Sequence, residues 1–105
     1  MNDHSARPPS IAQAALVEFE ISITAFLYLP ESEGFSLIGN IYCDRRSKFT
    51  DGRLIRTSTV LEFLECSGYD IASTFSGSRY VLLSASGADV SHLLSGRFDE
   101  NALQC

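Results

Sequence analysis

Five cations and one aromatic ring are concentrated in a short stretch of the chain, where their side chains could clamp the phosphates or carboxylates of a partner. Between residues 45 and 56, five positive residues face a single acid, Asp51, which leaves a net charge of +4. Since the whole chain carries −5, the remainder carries −9. This uneven charge predicts a basic prong on an acidic body. The predicted partner-binding residues are Arg45, Arg46, Lys48, Phe49, Arg53 and Arg56.

Two other interpretations of the basic stretch are open. It could bind nucleic acid, but the surrounding negative charge would repel a phosphate backbone, and Phe49 is the single aromatic residue available to stack on a base. It could also be a solvated loop whose charges protect the neighbouring strand edges from unwanted pairing. We therefore treat nucleic acid as the disfavoured partner and a protein as the favoured one.

No residue pattern in the chain predicts catalysis, a metal site or a cofactor. Asp44 and Asp51 flank the basic stretch, but they lack the spacing of a calcium loop and are typical of turn-forming aspartates. His4 and His92 have no Cys or His at ligand spacing. The sequence also contains no Gly-rich phosphate-binding motif. We predict a protein that is not an enzyme, with no catalytic residue, metal or cofactor.

The 105 residues have room for one domain with its own core. We predict a disordered leader over 1–10, a β-rich domain over 11–96 and a polar tail over 97–105. The longest apolar run, Ala25 to Leu29, is far too short to cross a bilayer, and the N-terminus has no apolar signal segment. Three cysteines, with no CxxC pair, fit a reducing compartment. These features predict a cytoplasmic protein without a membrane partner.

Apolar and polar residues alternate from Val17 to Leu29, which predicts one long strand ended by a loop over Pro30–Gly34. Strands at Phe35–Cys43 and Arg53–Ser58 flank the basic loop, and the Asp51-Gly52 pair predicts the tight turn between them. Gly39 lies inside the earlier of these two strands. A glycine there indicates a bulge or a sharp bend.

The second half of the chain predicts further strands and one helix. Thr59–Cys66 fits either a helix or a strand, and its short length and β-branched entry favour a strand. A hairpin is predicted from Asp70 to Ala85 and a short helix within 86–96. The fold class is therefore mainly β: a small bent antiparallel sheet or open SH3/OB-like barrel of about five strands, with a short C-terminal helix. The predicted core contains Ile21, Ile23, Leu37, Ile41, Ile55, Phe63, Val81 and Leu83.

The middle of the chain also contains an ordered set of motifs: G-x-I-x-x-D, then F-x-D-G-x-x-I-x-T-S-x-V, then T-x-S-x-S-x-Y-x-L. This order resembles small uncharacterised bacterial and phage proteins, often carried on mobile elements, that look like compact β domains. The resemblance implies an all-β domain and brings no activity, cofactor or catalytic residue. Its positions are Gly39, Ile41, Asp44, Phe49, Asp51, Gly52, Ile55, Thr57, Ser58, Val60, Thr74, Ser76, Ser78, Tyr80 and Leu82.

Three functions remain open from the sequence. The favoured one is a non-enzymatic interaction module that binds a macromolecular partner, as an accessory or inhibitor protein encoded by a phage or mobile element. The alternatives are a nucleic-acid-binding barrel using the 45–56 hairpin, and a small-molecule binder or enzyme with a site between subunits. We also expect a homodimer, because an open barrel leaves strand edges unpaired and aromatic residues outside the core. Those aromatic residues are Phe26, Tyr28, Tyr42 and Tyr69.

Overall fold

A computed structural model describes residues 7–94 and the pair Leu103–Gln104. No described helix is long and apolar enough to span a membrane. The elements in chain order are α1 (Pro9–Ala14), β1 (Ala25–Glu33), β2 (Ser36–Tyr42), β3 (Leu54–Arg56), β4 (Val60–Cys66), β5 (Tyr69–Thr74), β6 (Arg79–Leu83), α2 (Ser91–Leu94) and β7 (Leu103–Gln104).

The strands form one sheet in the order β3-β2-β1-β6-β5-β4-β7. Two antiparallel units, β1-β2-β3 and β4-β5-β6, meet where β1 and β6 run parallel. The prediction of a mainly β fold is confirmed. The predicted count of about five strands and the open SH3/OB-like barrel differ from the structure, because six strands between Ala25 and Leu83 form a mixed, unclosed sheet in which β1 and β6 are the parallel pair.

The sheet is nevertheless strongly curled, because the connection from β3 to β4 is too short to span a flat sheet. These strands lie five places apart in the sheet order, which would be roughly 24 Å in a flat sheet. The four peptide links from Arg56 to Val60 reach at most about 14 Å. The connection also stays bonded to the start of β2, since the Thr57 N–H donates to the Leu37 carbonyl and the Val60 N–H to the Phe35 carbonyl. The curl thus brings the two ends of the sheet towards each other.

Both faces of the sheet are covered by apolar side chains. The inner cluster gathers Leu27, Ile41, Phe63 and Leu82 with others, and Val90 and Leu93 from the α2 region complete it. The outer cluster contains Val81 and Leu83 and is covered by α1 and the segment that follows it. Seven of the eight predicted core residues are buried, and Ile21 is half-buried.

The predicted strand over Val17–Leu29 is wrong in its N-terminal half, because β1 begins at Ala25. From Ala25 onwards the chain has strands on both sides, whereas residues 17–24 belong to no strand. The alternation still marks burial: Phe19, Ile21 and Ile23 pack into the outer cluster while Glu18 and Glu20 are exposed. The alternation of apolar and polar residues therefore identified the buried side of residues 17–24, although this segment forms no strand.

The predicted loop over Pro30–Gly34 is also wrong, since β1 continues to Glu33. The register slips between Tyr28 and Glu31, so Leu29 and Pro30 form a bulge opposite Gly39. A Cβ atom on Gly39 would lie 2.8 Å from Leu27 Cγ, so any other residue here would force the Leu27 side chain to shift. The bulge that the mid-strand glycine indicated is present, on the strand beside it.

The other predicted elements agree with the structure in part. The strand interpretation of Thr59–Cys66 and the following hairpin are confirmed by β4, β5 and β6. Within the predicted helical segment 86–96, the described residues contain the four-residue helix α2. Pro9 and Ser10, which the leader was predicted to include, form the start of α1, and Ser10 is buried. Residues 1–6 of that leader and most of the predicted tail lie outside the described residues.

Candidate partner-binding surface

A single carboxylate organises the basic loop between β2 and β3. The Asp44 side chain is only 1% exposed and accepts four hydrogen bonds. Its Oδ1 accepts from the backbone N–H and the Nε of Arg46, at 3.2 and 3.0 Å. Its Oδ2 accepts from the backbone N–H groups of Lys48 and Phe49, at 2.9 and 3.0 Å. The loop is thus wound around Asp44, which confirms the prediction of a turn-forming aspartate.

Arg46 ties this loop to the neighbouring strand β6. Besides its ion pair with Asp44, it donates from one terminal nitrogen to Ser78 Oγ at 3.0 Å, and the other lies 3.5 Å from the Tyr80 hydroxyl. Burial lowers the pKa of Arg46, but the bonds to Asp44 and Tyr80 outweigh it and the net shift is upwards. We name Asp44, Arg46, Ser78 and Tyr80 the loop anchor.

A second carboxylate closes the far end of the loop. Asp51 accepts from the Cys43 N–H at 2.8 Å and from Arg7 Nε at 3.1 Å. The next residue, Gly52, has a φ of +89° and donates its N–H to the Ile41 carbonyl. The Asp-Gly pair therefore forms the turn that the sequence predicted, and its geometry requires glycine at the second position.

The other four cations of the stretch form a separate exposed group, which we name the cationic surface. Arg45, Lys48, Arg53 and Arg56 are all exposed. Among the described residues, the two ion pairs are Arg7–Asp51 and Arg46–Asp44, so no described acid neutralises these four side chains. The sequence predicted that Arg46 binds a partner together with these four residues. In the structure Arg46 differs from them because it bonds to Asp44 and β6.

Phe49 is bonded to the loop anchor through its backbone and lies near two cations of the cationic surface through its ring. It packs against the inner cluster, and Lys48 Nζ and Arg53 Cζ each lie 5.9 Å from its ring centroid. At this distance a cation is weakly attracted to the ring. Phe49 therefore holds two of the four cations near each other, and its own ring is half-buried and flanked by them.

An open groove of about 590 Å³ lies beside the loop. It is lined mainly by the irregular segment after α1, and Arg45 forms part of its rim. Among its eight lining residues, Glu18 and Arg45 are the two with ionisable side chains. The groove thus supplies a guanidinium and a carboxylate, without a nucleophile or a histidine.

Other candidate groups have local structural roles. Cys43 is a free, half-buried thiol, and burial raises its pKa, which keeps it from being an activated nucleophile. Within residues 7–94 no three His, Cys, Asp or Glu side chains are placed to hold a metal ion. Glu18 and Glu20 are exposed to solvent.

A hydroxyl network that sequence reasoning did not identify fixes the turn next to the loop anchor. Ser58 Oγ accepts from the Ser76 N–H and bonds to Ser76 Oγ, both at 3.1 Å, which joins the β3–β4 connection to the β5–β6 turn. Thr74 and Ser78 extend the network. These four residues belong to the motifs identified in the sequence. Their types and spacing did not indicate that the β3–β4 connection would contact the β5–β6 turn.

Comparisons with known proteins found no match to this chain among family models, curated proteins or solved structures. The resemblance to mobile-element proteins therefore remains a hypothesis carried by its motif residues.

Proposed function

We propose that this protein is a non-enzymatic interaction module that binds an acidic segment of a protein partner through the cationic surface. The observation that supports the proposal most is the division of the basic stretch. Arg46, although it is also exposed, bonds to Asp44 and Ser78, whereas Arg45, Lys48, Arg53 and Arg56 have no acidic partner among the described residues. Clustered free cations steer a negatively charged partner and select against positive ones.

A short acidic segment suits this surface better than a nucleic acid does. A polynucleotide carries charge along its whole length, so it would also run past the acidic body. Base stacking needs an open aromatic face, and the ring of Phe49 is half-buried between Lys48 and Arg53. A peptide segment can confine its negative charge to the loop. An accessory or inhibitor role in a phage or mobile element is the biological setting we propose.

The test compares two probes and two variants. The probes are a fluorescent acidic peptide and a single-stranded RNA of equal charge, titrated at several salt concentrations. The variant Arg53→Gln/Arg56→Gln removes two units of charge from the cationic surface. Its control, Ala12→Glu/Gln13→Glu, changes the net charge equally on exposed positions of α1.

We expect the peptide to bind, with a salt dependence that the arginine variant flattens and the control retains, since exposed charges are screened within about 10 Å at 0.1 M salt. Equal weakening by both variants would mean that only net charge matters, and the proposal would fail. Tighter binding of the RNA would favour the nucleic-acid alternative.

A further inference from the structure

The edge strand β3 has main-chain groups that face away from the sheet. The Ile41 N–H donates to the Arg53 carbonyl and the Thr57 N–H to the Leu37 carbonyl. Because antiparallel pairs alternate, Ile55 directs both its N–H and its C=O towards β2, as the Arg53 carbonyl and the Thr57 N–H do, whereas the Arg53 N–H donates to the Thr50 carbonyl. Leu54 and Arg56 must then direct theirs outwards. No described residue bonds to these outward groups, and β3 is the last strand of the sheet on this side.

The two faces beside this edge differ in chemistry. Leu54, 63% exposed, and Arg56 lie on the outer face. Ile55 points to the inner face, where it joins the core cluster, and Arg53 lies near it above Phe49. A strand added here would meet Arg56 and the exposed Leu54 on its outer side, and Ile55 with Arg53 beyond it on its inner side.

We propose that β3 binds the partner by strand addition, accepting an extended segment in which acidic and apolar residues alternate. The inference rests on the proposed function and specifies how the acidic segment is held. Main-chain bonds to Leu54 and Arg56 supply the affinity. Acidic side chains opposite Arg56 and apolar ones beside Ile55 supply the selection.

A second copy of this chain is a poorer occupant of the same edge. Pairing β3 with β3 about a two-fold axis would bring Arg53 and Arg56 of both copies to one seam. The four arginines would then lie close together along that seam, and like charges repel one another. The aromatic residues that favoured a homodimer are also engaged elsewhere: Phe26 is buried, and Tyr28, Tyr42 and Tyr69 pack against the outer cluster.

The test uses the whole ¹⁵N-labelled protein and the peptide acetyl-Glu-Val-Glu-Val-Glu-Val-Glu-amide. Strand addition should shift the amide signals of Leu54 and Arg56 most and slow their hydrogen exchange. Two analogues complete the probe set, one N-methylated at every glutamate and one at every valine, because each blocks one edge of the peptide and leaves its charge unchanged. In antiparallel addition the backbone N–H and C=O groups of the glutamates face β3. Methylation of the glutamate nitrogens should therefore weaken binding about tenfold, and methylation of the valine nitrogens should not.

A protein variant provides an independent readout. Leu54→Pro removes an outward N–H and leaves the bonds to β2 intact, and Leu54→Ala is its control. We expect Leu54→Pro to abolish peptide binding and Leu54→Ala to retain it. The analogues need no variant, so the proposal stays testable if Leu54→Pro fails to fold.

The outcomes separate the two proposals. If both analogues bind as well as the parent peptide and Arg53→Gln/Arg56→Gln weakens all three, the cationic surface binds acids without strand addition. If no acidic peptide binds at any salt concentration, the proposed function fails as well. Protection of the Leu54 and Arg56 amides without peptide would point to a β3–β3 dimer and overturn the inference.

Discussion

The loop anchor and the cationic surface belong to one stretch of chain and have the same kinds of side chain, yet their surroundings differ completely. In the anchor, a buried carboxylate accepts four hydrogen bonds and Arg46 reaches strand β6. On the surface, the other cations are solvated and unneutralised by any described acid. The comparison indicates that the internal bonds hold the loop in shape, while the remaining charges stay in solvent.

The largest effect should come from removing the centre of the anchor. We expect Asp44→Ala to lower the free energy of unfolding by about 2–4 kcal/mol, because its side chain, only 1% exposed, accepts four hydrogen bonds that include those from the Lys48 and Phe49 backbone. Urea denaturation measures the change. Asp51→Ala is the matched control, with a side chain 32% exposed and an expected loss of about 1 kcal/mol. Equal losses would contradict the ranking of the two carboxylates.

The next test compares two cations of the same loop. Arg46→Gln and Lys48→Gln each remove one positive charge. We expect the former to cost about 1 kcal/mol of stability, since it breaks a partly exposed ion pair and a bond to Ser78. The latter should leave the melting temperature unchanged and weaken binding of the acidic peptide. The reverse pattern would show that the anchor and the surface have been assigned the wrong way round.

Acid should weaken the anchor before it affects the cationic surface. Burial raises the pKa of Asp44, but the bonds from the Arg46 side chain and from the Arg46, Lys48 and Phe49 backbone outweigh it, so the pKa lies below its usual value. The stability contributed by the charged Asp44 side chain is therefore fully present above the unfolded pKa of about 3.9. It is lost as the pH falls through the lower pKa of the folded state. Denaturation from pH 7 to pH 2.5 should show a smaller acid-induced loss in Asp44→Asn than in the unaltered protein.

The smallest expected effect has the opposite sign and lies away from the loop. Burial, and then the charge of Glu65 directly across the β4–β5 hairpin, raise the pKa of Asp70. A raised folded pKa means that stability falls as the pH rises from the unfolded value through the folded one. Asp70→Asn should thus stabilise the protein at pH 7 by about 0.2–1 kcal/mol and have little effect at pH 3. A loss of stability at pH 7 would refute this.

Sequence reasoning succeeded where a local pattern decided the outcome. The Asp51-Gly52 turn, the strand at Val60–Cys66 and the core residues followed from turn chemistry and from alternation. The same alternation located the buried side of residues 17–24 and still predicted the wrong secondary structure. A strand needs a neighbour to accept its hydrogen bonds, and the identity of neighbours is not encoded in a local period.

By itself, the sequence determined that this chain builds a β-rich domain with a concentrated basic stretch between two strands, because hydrophobic period, turn residues and charge are properties of short segments. The tertiary structure alone decided the parallel contact of β1 with β6, the meeting of Ser58 with Ser76, and the placement of Arg46 beside Ser78 and Tyr80. These contacts join residues 18 to 55 positions apart. They exist because the pairing of β1 with β6 and the curl of the sheet bring distant segments within hydrogen-bonding distance, and a local sequence pattern specifies neither.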